Sequence, residues 1–132
     1  MIALDTNVLV RLIVGDDEAQ ARAAERLAVR ARREQTALFV ADVVLCELVW
    51  VLRSRLSLPR REIADALDQL LATELIVVAD TAVIERTLDD YRNGKGDFAD
   101  YLIREQARSA GAKEVATFDR ALKGEPGFRI VG

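Results

Sequence analysis

Aspartates recur at the ends of short apolar runs in this chain. Asp5 follows Met1–Leu4, Asp42 follows Ala37–Val40, Asp80 follows Leu75–Val78 and Asp119 follows Val115–Phe118, each directly or after one intervening residue. Glu47 is the only charge in the stretch Val43–Leu52, and Asp97 and Asp100 stand three apart around Phe98-Ala99. The chain has no histidine. That excludes Ser-His-Asp and Cys-His nucleophile systems, histidine acid–base catalysis and a Cys/His zinc site. Hydrolytic chemistry would fall to carboxylates and a hard cation bound through oxygen.

Each acid also has a structural reading. An aspartate between a strand and a helix is often an N-cap, accepting a hydrogen bond from a free helix N–H. Asp42 and Asp80 are read that way, before helices over 43–52 and 81–91. Asp97 and Asp100 have the spacing of a capping box. Asp5 and Asp119 also stand where caps occur. Glu47 is the acid that capping does not explain. Burying it unpaired in an apolar helix costs several kcal/mol, so it needs an arginine partner or a metal ion.

The elements that would carry these acids follow from periodicity. Strands are expected at Met1–Leu4, Ala37–Val40, Leu75–Val78 and Val115–Phe118, with a weaker one at Phe128–Val131. Glu18 to Arg33 places Ala21, Ala24, Leu27 and Ala28 on one helical face. Asp42 to Arg55 is apolar nearly all round and reads as a buried helix. Pro59 marks another start, followed by Ile63, Ala64, Leu67, Leu70 and Leu71 at helical spacing. Thr81 to Tyr91 reads as a helix ending near Asn93-Gly94, and Phe98 to Ala110 as one ending at Gly111. Short apolar strands alternating with helices predict a three-layer α/β/α fold around a central, mostly parallel sheet of four to five strands. In such sheets ligands bind beyond the C-terminal strand ends, where these aspartates lie.

Composition sets the frame. The chain has 132 residues, 51% of them apolar, enough for a single domain spanning 1–132 with one core. The formal net charge of −3 gives no electrostatic sign of nucleic acid by itself. Cys46 is the only cysteine, so no intrachain disulfide is available and a cytoplasmic setting is the simplest expectation. Met1-Ile2-Ala3-Leu4 reads as a strand rather than a targeting signal. The apolar stretch Val43–Leu52 is too short to cross a bilayer, so no membrane partner is expected.

The ordered set of acids resembles that of the PIN-domain nucleases, and in length and layout that of the VapC toxins of bacterial toxin–antitoxin pairs. The resemblance rests on Leu4-Asp5-Thr6-Asn7, on Glu47 alone in its apolar helix, on Asp100-Tyr101-Leu102-Ile103 and on Thr117-Phe118-Asp119-Arg120. Asp100 is preferred to Asp97 as the third acid because Leu102 and Ile103 then fall where the family places core residues. The resemblance implies an endoribonuclease using Mg²⁺, with Mn²⁺ as a substitute. Asp5 and Asp100 would be direct ligands, Glu47 and Asp119 would complete the site, and Asp97 stays a further ligand candidate. Grouped like charges need a cation to remain ionised. Thr6, Asn7 and Thr117 would position phosphate or water, and their structural roles would be capping and turn formation. Arg11, Arg53, Arg55, Arg60, Arg61, Lys95, Arg104 and Arg120 are candidates for contact with RNA phosphates. Aromatics are few, so extended base stacking is not expected. The family also implies a homodimer and a VapB-like antitoxin as partner.

Three other readings compete. A phosphatase with an aspartate nucleophile usually wants a second aspartate two residues on, where Asn7 stands. A receiver-like signalling domain would use Asp80 as acceptor but lacks the first acidic pair and leaves Glu47 unexplained. A catalytically idle PIN-like module acting through complex assembly or repression would keep the fold without the reaction, and the full set of acids argues against it.

Overall fold

A computed structural model describes residues 1–15 and 17–132. The chain divides into two compact units, Met1–Ala79 and Asp80–Gly132.

The first unit runs β1 (Ile2–Ala3), α1 (Thr6–Ile13), α2 (Glu18–Glu34), β2 (Leu38–Phe39), α3 (Asp42–Ser54), α4 (Arg60–Ala72) and β3 (Ile76–Val77). The strands form a parallel sheet in the order β1-β2-β3, with Ile2 opposite Leu38 and Leu38 opposite Ile76. Each strand is shorter than the apolar run that predicts it. Backbone bonds nevertheless reach beyond the ladder, from Leu4 N–H to Phe39 C=O at 2.8 Å and from Val40 N–H to Val77 C=O at 2.9 Å. Leu4 and Val40, at the ends of those runs, are buried. Helix α3 packs on α1 and α4. Leu9, Leu45, Leu48, Leu52, Ile63 and Leu67 are fully buried among them. Burying one such side chain is worth about 1.5–3 kcal/mol, so this cluster anchors the end of β1, before Asp5, and the inner face of α3, which carries Glu47.

Helix α1 directly after Asp5 lies outside the helices that periodicity announces. Asp5 caps it and Leu9 and Val10 are its buried face, but eight residues hold too few repeats for a periodic signal. Asp42 is corrected from N-cap to first helical residue. The chain is still extended at Ala41, which is the N-cap, and Asp42 stands in the first turn, where a negative charge suits the helix dipole.

The second unit contains α5 (Thr81–Asn93), α6 (Phe98–Ser109), β4 (Val115–Thr117), a 3₁₀ turn (Arg120–Leu122) and β5 (Phe128–Ile130). Asp80 caps α5 as expected, accepting from Val83 N–H at 3.2 Å. Strands β4 and β5 pair in parallel, Val115 with Phe128 and Thr117 with Ile130. The five expected strands are therefore present and all their pairings are parallel, arranged as sheets of three and two. Helices α5 and α6 pack on each other, with Ile84, Tyr91, Phe98, Tyr101 and Leu122 buried. Tyr91 meets Phe98 edge to face at 6.1 Å, and Tyr101 meets Phe128 likewise at 6.1 Å.

Gly94 ends α5, but not through a left-handed turn, since its φ is −101°. Its backbone lies so close to the Tyr101 hydroxyl and the Asp90 carbonyl that a Cβ has no room. Gly96 is under the same restriction, as a Cβ there would lie 2.6 Å from Leu122 Cδ2.

Candidate active site

In the first unit, the turn from β1 into α1 presents Asp5. The side chain is exposed and accepts from Asn7 N–H at 2.7 Å, which fixes one oxygen as a helix cap. Thr6, next in line, is only 8% exposed.

Glu47 departs from its expected setting. It is exposed rather than buried, because α3 has two faces. Leu45, Leu48, Val49 and Leu52 face the core, while Val43, Glu47 and Trp50 face outward, Val43 at 63% and Trp50 at 52% exposure. The near-uniform apolar composition of the helix conceals this division. Burial thus imposes no penalty on Glu47, and neither it nor Asp5 is in an ion pair among the described residues.

The tertiary structure instead gives Glu47 a neighbourhood. Asp5, Thr6 and Asn7 from the β1–α1 turn, with Val44, Glu47, Trp50, Val51 and Arg55 from the α3 side, line one hollow of about 550 Å³. The Arg55 guanidinium lies 5.9 Å from the centre of the Trp50 ring. Asn7 also lines an adjoining hollow of about 300 Å³ with Arg11 and Gln20. There Arg11 Nε donates to Gln20 Oε1 at 2.7 Å. Arg53 and Arg61 are exposed on α3 and α4, and Arg60 is half-buried.

In the second unit, Asp97 and Asp100 form the capping box that their spacing suggests. Asp97 N–H donates to Asp100 Oδ2 at 2.9 Å, and the Asp97 side chain accepts from the Asp100 backbone. Both are half-buried. Asp119 is exposed and accepts from Ala121 N–H at 2.9 Å, while its own N–H donates to Thr117 Oγ1 at 3.0 Å. Thr117 thus holds the turn that carries Asp119. Lys95 is exposed, and Arg120 Nη2 donates to the Gly132 carbonyl at 3.1 Å.

Two expectations are corrected here. Arg104 is not available to RNA. It is 4% exposed, pairs with Asp90, donates to the Pro126 carbonyl at 2.9 Å and lies over the rings of Tyr101 and Phe128. A guanidinium stacked on aromatics and bonded to carboxylate and carbonyl is part of the core. Ile103 is 51% exposed, so only Leu102 of that pair is a core residue.

Around the Asp97–Asp100 cap stand Gly96, Tyr101 and Glu125, to which sequence reasoning assigned no role, together with Lys95, which it marked. The Tyr101 hydroxyl accepts from Gly96 N–H at 2.9 Å, and Lys95 N–H donates to Glu125 Oε1 at 2.7 Å. Burial pushes the Tyr101 phenol up, and the neighbouring Glu125 adds to the rise against the opposing Gly96 bond. Tyr101 therefore stays neutral and ties the loop before α6 in place. Beneath it lies Glu105, 3% exposed, bonded to Arg86 at 2.8 Å and Arg108 at 3.0 Å. Trp50 was within reach of sequence reasoning, since it stands three residues after Glu47 and so shares its helical face. Within each unit, among the described residues, no three acidic or cysteine side chains gather as a metal cage.

A parallel βα layout thus brings an aspartate from the turn after β1 and a glutamate of α3 to one hollow, and comparison with known proteins gives the family. Residues 2–124 match the PIN domain, and the chain belongs to that family. Within it the chain is of the VapC type. It is 30% identical over 131 residues to the VapC ribonuclease of Aquifex aeolicus (strain VF5), an alignment covering 99% of this chain and 96% of that protein. Membership sets aside the receiver-like and phosphatase readings. Among the described residues, no helix is long and apolar enough to cross a membrane.

Proposed function

We propose that this protein is a Mg²⁺-dependent endoribonuclease and the toxin of a VapBC-like pair. The observation that carries the reading is the shared hollow of Asp5 and Glu47, two exposed carboxylates brought together from the β1–α1 turn and from α3. The VapC ribonuclease similar to this chain over nearly its full length supports it.

The donor set fits a hard divalent cation. Every candidate ligand offers oxygen, and Asp5 and Glu47 are open to solvent without ion-pair competitors among the described residues. Mg²⁺ requires only one or two direct carboxylates and retains waters for its other positions. Asp5 and Asp100 are the proposed direct ligands, with Glu47 and Asp119 completing the set and Asp97 as a further candidate. Mn²⁺ would serve in place of Mg²⁺. When bound, the cation supplies a water of lowered pKa and neutralises charge on the phosphoryl oxygens.

The chain's own residues do the remaining work. Glu47, free of any cap, takes the proton of the attacking water. The Asp5 cap and the Asp97–Asp100 box lock their rotamers before substrate arrives, which favours preorganised chemistry. Thr6 and Asn7 orient phosphate or water in the hollow, and Thr117 orients Asp119. Arg11, Arg53, Lys95 and Arg120 attract the RNA backbone without reading sequence. The reading includes one PIN domain over 1–132, a homodimer, a VapB-like antitoxin and a cytoplasmic setting.

The test uses the purified chain, free of any antitoxin, with labelled total RNA in Mg²⁺, Mn²⁺ or EDTA. Asp100→Asn runs alongside. Cleavage that needs the cation and disappears in the variant is expected. Cleavage indifferent to EDTA and to the substitution would overturn the mechanism, and no cleavage by folded protein would favour the idle module.

A further inference from the structure

Two backbone amides immediately before Asp97 are held by side chains from elsewhere in the second unit. Gly96 N–H donates to the Tyr101 hydroxyl at 2.9 Å, and Lys95 N–H to Glu125 Oε1 at 2.7 Å. The Tyr101 hydroxyl in turn hydrogen-bonds the Glu125 carboxylate. Tyr101 is fully buried and Glu125 half-buried. Lys95 is exposed, so water could serve its amide, and a fixed carboxylate there calls for a reason.

Glu125 is itself held. Its N–H donates to the Leu122 carbonyl at 3.0 Å, and the next carbonyl, that of Pro126, accepts from Arg104 of α6. Leu122 closes the 3₁₀ turn that Asp119 caps, and its side chain lies so close on Gly96 that a Cβ there has no room. The turn carrying Asp119 and the loop carrying Asp97 are thus joined through Leu122, Glu125 and Tyr101.

We propose that Glu125 and Tyr101 clasp the Asp119 turn to the loop before α6, and so act as positioning residues that hold Asp97, Asp100 and Asp119 ready for a divalent cation. The proposal rests on the ribonuclease reading above and goes beyond it, since neither residue is among its ligands. The capping box already satisfies the start of α6, so the clasp is not needed to begin that helix. What it adds is a fixed relation between two acid-bearing turns. Carboxylates that must gather around a cation repel one another, so the segments that carry them need restraint from outside the set. Partners that orient ligands without touching the metal govern its affinity for that reason.

Wild-type, Tyr101→Phe, Glu125→Ala and Glu125→Gln are titrated with Mn²⁺ in the absence of RNA, the free ion being followed by electron paramagnetic resonance. Each protein is also melted, and its cleavage of labelled total RNA is measured against Mg²⁺ concentration. Tyr101→Phe keeps the ring on Phe128 and removes only the hydroxyl. Tyr101→Phe and Glu125→Ala should each weaken Mn²⁺ binding about ten-fold, well below their melting midpoints, and raise the Mg²⁺ needed for half-maximal cleavage to match. Glu125→Gln keeps an oxygen for Lys95 N–H and should regain most of the loss. Unchanged Mn²⁺ affinity in folded Tyr101→Phe would overturn the clasp while leaving the nuclease in place. A loss that follows the unfolded fraction alone would also overturn it, by making both residues purely structural. Mn²⁺ binding that the variants weaken, in a wild-type protein that cleaves no RNA, would keep the clasp and remove the nuclease reading.

Discussion

Glu47 is exposed, forms no cap and lines the hollow with Asp5, so its charge serves no evident structural purpose. Glu47→Gln should therefore leave the thermal midpoint nearly unchanged, within about 0.5 kcal/mol for a surface site, while RNA cleavage falls at least a hundred-fold. A gel-based cleavage assay and a melting curve on the same sample decide it, and a variant that cleaves normally would remove Glu47 from the reaction. Arg104 is the opposite kind of residue. Buried between Asp90, the Pro126 carbonyl and two aromatic rings, it holds the second unit together. Arg104→Met removes the bonds to Asp90 and the Pro126 carbonyl and should cost about 1–3 kcal/mol in a denaturant titration. A loss confined to RNA affinity would return Arg104 to the phosphate contacts.

At the scale of elements, α6 is presented by what precedes it. The capping box of Asp97 and Asp100 satisfies the first helical N–H groups, and Tyr101 and Glu125 grip the loop at Gly96 and Lys95. Gly96 is required there by contact, since its Cβ would strike Leu122 and crowd the Tyr101 ring. Gly96→Ala should destabilise the fold by about 1–3 kcal/mol through overpacking. It should also loosen Asp97 and Asp100, lowering cleavage more than the lost stability explains. Hydrogen exchange at the first turn of α6 would show the loosening, and unchanged protection there would refute it.

At the scale of the whole molecule, acid is the informative stress. Burial tends to raise the Glu105 pKa, but the Arg86 hydrogen bond and the charges of Arg108 and Arg104 outweigh it and hold the carboxyl below its ordinary value. A carboxyl whose folded pKa is lower than its unfolded one adds stability above the unfolded value, and that stability is lost as pH falls through the folded value. The thermal midpoint should therefore drop as pH falls below about 4.5, and the drop should be shallower in Glu105→Gln. Parallel pH curves for the two proteins would show that other carboxylates govern acid unfolding. Since Glu105 and the caps of α6 share one helix, cleavage should also decline with that acid transition.

The alternation of apolar strands and amphipathic helices was legible in the sequence because a short apolar run and a period of 3.6 are local properties. The Asp80 cap and the Asp97–Asp100 box were legible for the same reason, since capping spans only three residues. The order of the acids, from Asp5 to Asp119, was enough to indicate the PIN-domain family. Solvent exposure was not legible in this way. Composition made α3 look buried on every side, and only packing on α1 and α4 decided that Val43, Glu47 and Trp50 face outward. Arg104 and Arg55 are the same residue type in helical or near-helical positions, yet one lies in the core and the other beside an open indole. Charge and side-chain type are fixed by the chain, whereas burial and neighbours depend on contacts between residues distant in sequence, which the folded structure alone brings together.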